Sequence, residues 1–530
     1  MTRQTYPWPI FFVLLSLFLP GCHRSPSKTV ETGRGEDSPN IIYILADDLG
    51  YGDLGVYGQT KIENPNIDAL AAGGMRFTQH YSGAPVCAPA RSVLLTGRHL
   101  GHSPVRGNDA WRSRGDVWDY RAVIQDSTLE GQLPLPANTH LFPQSLQRAG
   151  YRTGMVGKWG LGAPHTESIP TRMGFDYFYG YNCQRQAHSL TPIHLYENEH
   201  RVYLHNRDTI VPGTGIPMHA DPRDPKSYAA YNQEDYAPTL SFARLMEFVR
   251  QDSDQPFFLY WATPIPHLPL QAPQRWVDYY VDKFGDEEPY YFREGEKGAY
   301  FPVRYPRATY AAMVSYLDEN VGKLVAYLKE SGQYDNTLII FTSDNGPTYV
   351  AGTDSPWFDS GGPFPEEYGR GKGFLYEGGI RVPMIASWPG HIPAGTVTDH
   401  VSGFQDVLPT VCEIIDRPVA DSTDGISFLP TLLDRGEQPE HEYLYWEFPE
   451  YNGQAAVRLG NWKMIWKEIK QGNEAVEVYD LTTDPAEQLD LAADHPELVT
   501  RFYEIIRREH EPPANERFSI PGLEAVYRGR

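Results

Sequence analysis

The chain predicts a doubly wound α/β fold, in which a large, mostly parallel sheet is flanked by helices and followed by a smaller C-terminal α+β subdomain containing an antiparallel sheet. Three observations carry this expectation. Short, near-continuous apolar runs, of the kind buried on both faces of a parallel sheet, recur over residues 40–388. Amphipathic helical patterns lie between them. Beyond about His441 the runs alternate instead and are joined by Gly-Asn and Gln-Gly-Asn turns.

The first run, residues 40–46, stops at Asp47 and Asp48. Similar runs follow at 153–156, 257–262, 338–342 and 384–388. The clearest helix covers about 308–331, where Met313, Val314, Leu317, Val321, Leu324, Val325 and Leu328 recur at three- and four-residue spacing before Gly332. A second covers about 238–250. Past His441, the stretches 455–459, 462–467 and 476–481 read as an antiparallel meander, and 496–509 as a helix. Doubly wound sheets bind ligands beyond the carboxyl ends of their strands. Asp47, Asp48, Lys158, His267, Asp344 and Asn345 all fall at such ends.

With 41% apolar and 13% aromatic residues, the 530-residue chain can bury a large core and is not disordered. Its formal net charge of −22 argues against a nucleic-acid partner and gives no broad attraction for a polyanion, so an anionic substrate must be held by a local cation cluster or a metal. The apolar run 9–20 is too short to span a bilayer and reads as an export signal. It ends Leu19-Pro20-Gly21-Cys22, similar to a bacterial lipobox, which predicts a lipid anchor at Cys22 and a place in the periplasm or outer membrane; a plain signal peptide and a soluble secreted protein are the alternative. The expected organisation is signal 1–22, flexible tether 23–39, catalytic domain 40–440 and subdomain 441–530. Setting Cys22 aside, Cys87, Cys183 and Cys412 are an odd number, so at least one is outside any internal disulfide. Cys412 sits in an apolar stretch that suits a buried thiol, and Cys87 is the natural odd one out.

Asp47-Asp48 and Asp344-Asn345 offer all-oxygen ligation to a hard divalent cation, Ca²⁺ in preference to Mg²⁺. Taken singly, each pair is more often no more than a strand end entering a turn; it is the two pairs at one sheet edge, with Cys87 and the cations, that point to a metal. Cys87 precedes Pro89, which fits the first turn of a helix, so residue 87 lies near a helix N-terminus that favours an anionic group. An unmodified thiolate nucleophile is the alternative, without an evident His-Asn pair beside it.

On Ala46-Asp47-Asp48-Leu49-Gly50, Cys87-Ala-Pro-Ala-Arg91, Gly157-Lys158-Trp159-Gly160-Leu161-Gly162, Thr263 to His267, Thr342 to Gly346, Gly371-Lys372-Gly373 with Tyr376 to Pro383, and Tyr479 to Glu487, in that family's order, the chain resembles the type I, formylglycine-dependent sulfatases, arylsulfatase-like members of the alkaline phosphatase superfamily. The resemblance covers the chain from Asn40 to its C-terminus. It implies that a maturation enzyme converts Cys87 to formylglycine, whose hydrate rests on Ca²⁺ held by Asp47, Asp48, Asp344 and Asn345 and attacks the sulfur of a sulfate ester. Arg91 and Lys158 are then expected to hold the formylglycine and sulfate oxygens. Lys372 and His267 are expected to bind sulfate and help protonate the leaving oxygen. Many relatives carry histidine two residues after the lysine, where this chain has Gly160; His188 is the candidate replacement or a substrate-binding histidine, with His165 a weaker one. Sulfated carbohydrates are the expected substrates, with aromatics between Trp276 and Tyr305 as candidate sugar-stacking side chains. The competing readings are a phosphonate or phosphate-ester hydrolase of the same superfamily, and a non-catalytic lipoprotein that binds sulfated glycans.

Overall fold

Strand β1 (Asn40–Asp47) is the centre of the molecule, because its side chains supply both hydrophobic layers. Ile41, Tyr43 and Leu45 point into one core and Ile42, Ile44 and Ala46 into the other. That two-sided burial is why the run carries no alternation. The computed structural model describes residues 1–5, 7, 38–419 and 422–529. The apolar run 9–20, Cys22 and the tether up to residue 37 lie outside the described residues.

The remaining strands of the main sheet are β2 (Met75–Tyr81), β3 (Arg152–Lys158), β4 (Tyr177–Tyr181), β5 (His194–Glu197), β6 (His200–Tyr203), β7 (Phe257–Pro266), β8 (Thr337–Ser343), β9 (Arg381–Ser387), β10 (Thr396–Thr398) and β11 (Ser402–Gly403). Their order is β10-β2-β9-β8-β1-β7-β3-β4-β5-β6, with β11 beside β2. Strands β8, β1, β7, β3 and β4 run parallel, with Ile41 between Phe258 and Leu338. Strand β9 runs antiparallel to both neighbours, and the β5–β6 hairpin extends the far edge.

The helix expected at 308–331 spans Pro306–Glu330 and covers one face through Tyr310, Val314, Leu317 and Val321. The helix Ala237–Val249 lies on the same face. Cys87–Thr96 and Val407–Ile414 cover the other, and Cys412 is buried there as a free thiol. Cys183 and Cys87 are also free and buried.

The C-terminal region is a separate antiparallel sheet of β12 (Leu444–Phe448), β13 (Gln454–Leu459), β14 (Trp462–Lys467) and β15 (Val476–Asp480) in sequential order. The helix Pro496–Glu509 packs on one face through Phe502, Ile505 and Ile506. The other face, with Trp446, Ala456 and Ile465, packs against Tyr81, Leu375, Tyr376 and Ile380 of the main unit. Polar bonds lock this contact. Gln454 accepts from the Leu375 N–H (3.1 Å) and donates to the Gly373 carbonyl (2.8 Å). Fully buried Lys463 sits between Glu377 (2.8 Å) and Glu487 (3.3 Å).

Candidate active site

The carboxyl ends of β1, β3, β7 and β8 meet, and the sequence places polar residues where the apolar runs stop. At the end of β1 the backbone turns sharply, with Asp48 at φ 65°, a left-handed conformation that aspartate tolerates better than most residues. The Asp48 N–H donates to Asp344 Oδ1 (3.2 Å) and the Leu49 N–H to Ser343 Oγ (2.9 Å), which fixes the β1 and β8 ends to each other.

Cys87 is the first residue of its helix, as the position of Pro89 predicts, and Gly97 closes that helix at φ 67°. The Cys87 thiol donates to Asp47 Oδ1 at 3.2 Å. Burial, together with Asp344 and Asp47, pushes this thiol well above its ordinary pKa. One turn on, fully buried Arg91 ties three strand ends together. It donates to Asp47 Oδ2 (3.0 Å), to Asp344 Oδ2 (2.8 Å) and to the Lys158 carbonyl. Lys158 Nζ reaches Asp47 Oδ2 at 2.6 Å. Lys372 Nζ lies 2.6 Å from Asp48 Oδ1 and 3.9 Å from Cys87 Sγ.

Every residue singled out at the strand ends therefore lies around Cys87. Burial opposes ionisation of Asp47, but Lys158, His267 and Arg91 outweigh it and hold the carboxyl well below the usual range. Asp344 is pushed up to about 6 by burial and by Asp47, against the pull of Arg91. The carboxylates Asp47, Asp48 and Asp344 face the cations Arg91, Lys158 and Lys372, so the set can take up a divalent cation together with an anionic group while staying close to neutral.

The donor set fits a hard cation. Asn345 Oδ1 is buried without a hydrogen-bond partner, although its amide nitrogen donates to Asp48 Oδ1 (2.8 Å) and to the Gly346 carbonyl. Ligand atoms of Asp47, Asp48, Cys87 and His267 all lie within 4.8 Å of one another. Carboxylate and amide oxygens are the donors Ca²⁺ and Mg²⁺ take.

His267 Nδ1–H donates to the Leu268 carbonyl (2.5 Å), which turns Nε2 toward Asp48 Oδ2, 3.7 Å away. The His188 ring stacks on it, with centroids 5.6 Å apart and planes at 17°. Its tautomer follows from its partners. Tyr120 donates its hydroxyl proton to the Arg185 carbonyl (3.1 Å), so its oxygen must accept from His188 Nδ1–H (3.1 Å), leaving His188 Nε2 with a free lone pair. Tyr300 caps both rings at 5.0 and 5.9 Å.

Gly160 has φ 77°, where glycine is favoured, and a Cβ there would lie 3.2 Å from Gln184 Oε1 and 3.3 Å from Gln184 Cβ. Gln184 thus fills the space a side chain at 160 would enter. It belongs to the same short helical turn, Gln184–His188, that carries His188. His165 is exposed and bonds Ser127 (2.8 Å).

Tyr120 and Gln184 are the site residues that sequence reasoning missed; they sit in short helical segments with no amphipathic repeat, and the Cys-Gln-Arg-Gln-Ala-His run was the one signal near them. Of the aromatics expected to stack on sugars, Tyr300 reaches the site. Trp276 and Tyr280 instead pack against the Pro306–Glu330 helix, bonding Glu319 and Ser315. A second group, His99, His102, Asp424 and Glu509, joins the loop after Gly97 to the C-terminal helix. The Gly101 N–H occupies His99 Nδ1 (3.1 Å), so His99 Nε2 carries a proton for Glu509 (3.1 Å), which makes this a hydrogen-bonded clasp and not a ligand set.

The family model for sulfatases matches residues 39–416, and one described as N-sulphoglucosamine sulphohydrolase, C-terminal, matches 367–508. The chain is 31% identical over 447 residues to N-acetylgalactosamine-6-sulfatase from Sus scrofa, covering 82% of this chain and 74% of that one. It is 34% identical over 458 residues to arylsulfatase A from Homo sapiens, covering 84% and 78%. A solved structure, Ps i-CgsB in complex with k-i-k-neocarrahexaose, superposes with a TM-score of 0.69 at 26% identity, covering 93% of this chain and 98% of that one. The match across most of the main domain, shared fold and these relatives establish that the chain belongs to the sulfatase family, sulfuric ester hydrolases of the alkaline phosphatase superfamily.

Proposed function

We propose that this chain hydrolyses sulfate esters of sulfated carbohydrates, with residue 87 as nucleophile after conversion of Cys87 to formylglycine by a maturation enzyme. The observation that carries the reading is the convergence of Asp47, Asp48, Asp344, Asn345, Lys158 and Lys372 on one buried cysteine at a helix N-terminus. The carbohydrate class is supported by the relatives and by the sugar complex of the structural neighbour.

Hydrated formylglycine supplies the attacking hydroxyl. Asp47, Asp48, Asp344 and Asn345 would hold a Ca²⁺ ion, which would supply Lewis-acid stabilisation of the charge that develops on oxygen. Lys158 and Lys372 bind the sulfate oxygens. Arg91, with its N–H groups committed to Asp47, Asp344 and the Lys158 carbonyl, positions the carboxylates. His267 keeps its Nδ1–H tied to Leu268 and, held neutral by burial beside Lys372 and Lys158, presents Nε2 to take up a proton and pass it to the leaving alcohol oxygen. His188 presents its bare Nε2 to take a proton as sulfate is expelled, in place of the histidine absent at Gly160. Each turnover consumes one water and yields an alcohol and sulfate.

Mass spectrometry of the tryptic peptide 77–91 from the native host tests the nucleophile: an aldehyde at residue 87 is expected, and an intact thiol overturns it. Matched aryl sulfate and phosphate esters test the reaction, with faster phosphate turnover favouring the phosphate or phosphonate hydrolase. Glycan affinity without hydrolysis in fully matured protein would favour a binding protein. The same reading places the protein outside the cytoplasm, anchored through Cys22; release of Cys22→Ala from the membrane fraction is the expected result, and unchanged partition opposes it.

A further inference from the structure

An aromatic patch lies beside the Lys372 loop that none of the proposed chemistry uses. Tyr349 follows the Asp344-Asn345-Gly346 turn, Tyr368 and Phe374 flank Gly371-Lys372-Gly373, and Tyr451 comes from the turn between β12 and β13. Their rings form a chain of edge contacts: Tyr349 to Tyr368 at 5.8 Å, Tyr368 to Phe374 at 5.2 Å and Phe374 to Tyr451 at 5.1 Å. Tyr368 is 70% exposed and Tyr451 40% exposed. Large aromatic rings left in water in a contiguous group mark a binding surface more often than chance exposure.

Two contacts show that the patch is built. Tyr451 and Asn452 are the central residues of the β12–β13 hairpin turn, closed by the Gly453 N–H on the Glu450 carbonyl (3.0 Å), and their left-handed φ of 49° and 69° is what that turn requires. A Cβ on Gly373 would lie 2.8 Å from the Tyr451 ring, so the glycine after Lys372 lets that ring come up against the catalytic loop. The Tyr349 hydroxyl donates to the Lys372 carbonyl (3.0 Å), so the patch is continuous with the residue that lies on Asp48 and Cys87.

We propose that Tyr368 and Tyr451 form a stacking subsite for a sugar ring adjoining the one whose sulfate is cleaved. This rests on the sulfated-carbohydrate reading above. A tyrosine ring offers an apolar face to the C–H face of a pyranose and a hydroxyl to its rim. A net charge of −22 gives no broad attraction for a polyanion, and neutral stacking holds a neighbouring sugar without one.

The test uses the matured enzyme and the variants Tyr368→Ala, Tyr368→Phe and Tyr451→Ala, assayed on a small aryl sulfate and on a sulfated tetrasaccharide. Tyr368→Ala and Tyr451→Ala are expected to raise the tetrasaccharide KM roughly tenfold and to leave aryl sulfate turnover within about twofold, with Tyr368→Phe like wild type. Calorimetric titration of the tetrasaccharide into the Cys87→Ser protein, with and without Tyr368→Ala, should show the same loss of affinity without any turnover. An unchanged tetrasaccharide KM, or equal losses on both substrates, overturns the subsite while leaving the carbohydrate reading intact. Wild-type enzyme that cleaves aryl sulfate and no sulfated oligosaccharide overturns both. Self-association abolished by Tyr368→Ala, with tetrasaccharide KM unchanged, makes the patch a face between copies of this chain and overturns the subsite.

Discussion

Moving the imidazole from residue 188 to residue 160 is a sharp test of how this active site is assembled. His188→Ala removes a proton acceptor and should lower kcat by about 10²–10⁴-fold, equivalent to about 3–5 kcal/mol of barrier. On that background Gly160→His should not restore turnover. Its backbone sits at φ 77°, where a non-glycine residue costs about 1–2 kcal/mol. Its Cβ would also press on Gln184 at 3.2 and 3.3 Å, so Gln184 must give way before the imidazole has a path into the site. Adding Gln184→Gly opens that path, and the triple variant should recover at least about tenfold of the lost rate. The assay is aryl sulfate turnover normalised to the aldehyde content of residue 87, measured by mass spectrometry on each variant, with urea unfolding to follow the expected loss of stability in Gly160→His. The reasoning fails if His188→Ala turns over within about twofold of wild type, or if Gly160→His rescues it with Gln184 still in place.

Replacing buried Lys463 with methionine leaves Glu487 facing Glu377 without a cation of its own, Arg381 remaining on Glu377 (3.0 Å), and should cost about 3–5 kcal/mol in urea unfolding; adding Glu487→Gln should recover part of it. Stripping divalent cations with a chelator should abolish turnover and lower the melting temperature, and Ca²⁺ should restore both better than Mg²⁺, since the carboxylates of Asp47, Asp48 and Asp344 then lack their metal; activity that persists through exhaustive chelation would exclude a required metal. His441 is buried, which lowers its affinity for protons, but its bond to Asp406 (2.7 Å) and the nearby Asp424 raise its pKa above the ordinary value, with His400 also close. A raised folded pKa stabilises the fold fully below the unfolded value and loses that contribution as pH rises through the folded one. The stability gap between wild type and His441→Gln should therefore be wider at pH 6 than at pH 9, and a gap independent of pH would count against the ion pair.

What could be read from the sequence follows burial. Strands β1, β3, β7 and β8 are apolar on both faces and so stand out, and the helix Pro496–Glu509 has the expected bounds. Asp47, Lys158, His267 and Asp344 were legible because each interrupts or follows such a run. Strand β2, Met-Arg-Phe-Thr-Gln-His-Tyr, was not, because its polar side chains are satisfied by partners far along the chain: Thr78 donates to the Thr398 carbonyl and His80 bonds Ser402. Strand β12 hides in the same way, with Glu447 buried against Arg106 and His510. Tyr120 meets His188 across 68 positions, and nothing local announces such a contact. The aromatic stretch after Trp276 misled because a tyrosine that fills a core and one that lines a cleft look alike in one dimension.

The depth of Cys87 sets a schedule for making this protein. The side chain is 2% exposed, and the groups that enclose it come from late in the chain: Asp344 bonds Arg91 from 253 positions downstream, and Lys372, whose loop is gripped by Gln454, arrives later still. An enzyme that oxidises the Cys87 β-carbon to the proposed aldehyde, with loss of the sulfur, must reach it before those segments close. At ordinary rates of synthesis the delay between residue 91 and residue 344 is about 10–50 s. Slow elongation or delayed docking of the C-terminal sheet lengthens that window, so synonymous codon changes between these positions, which alter no residue, should change the fraction of molecules that become active.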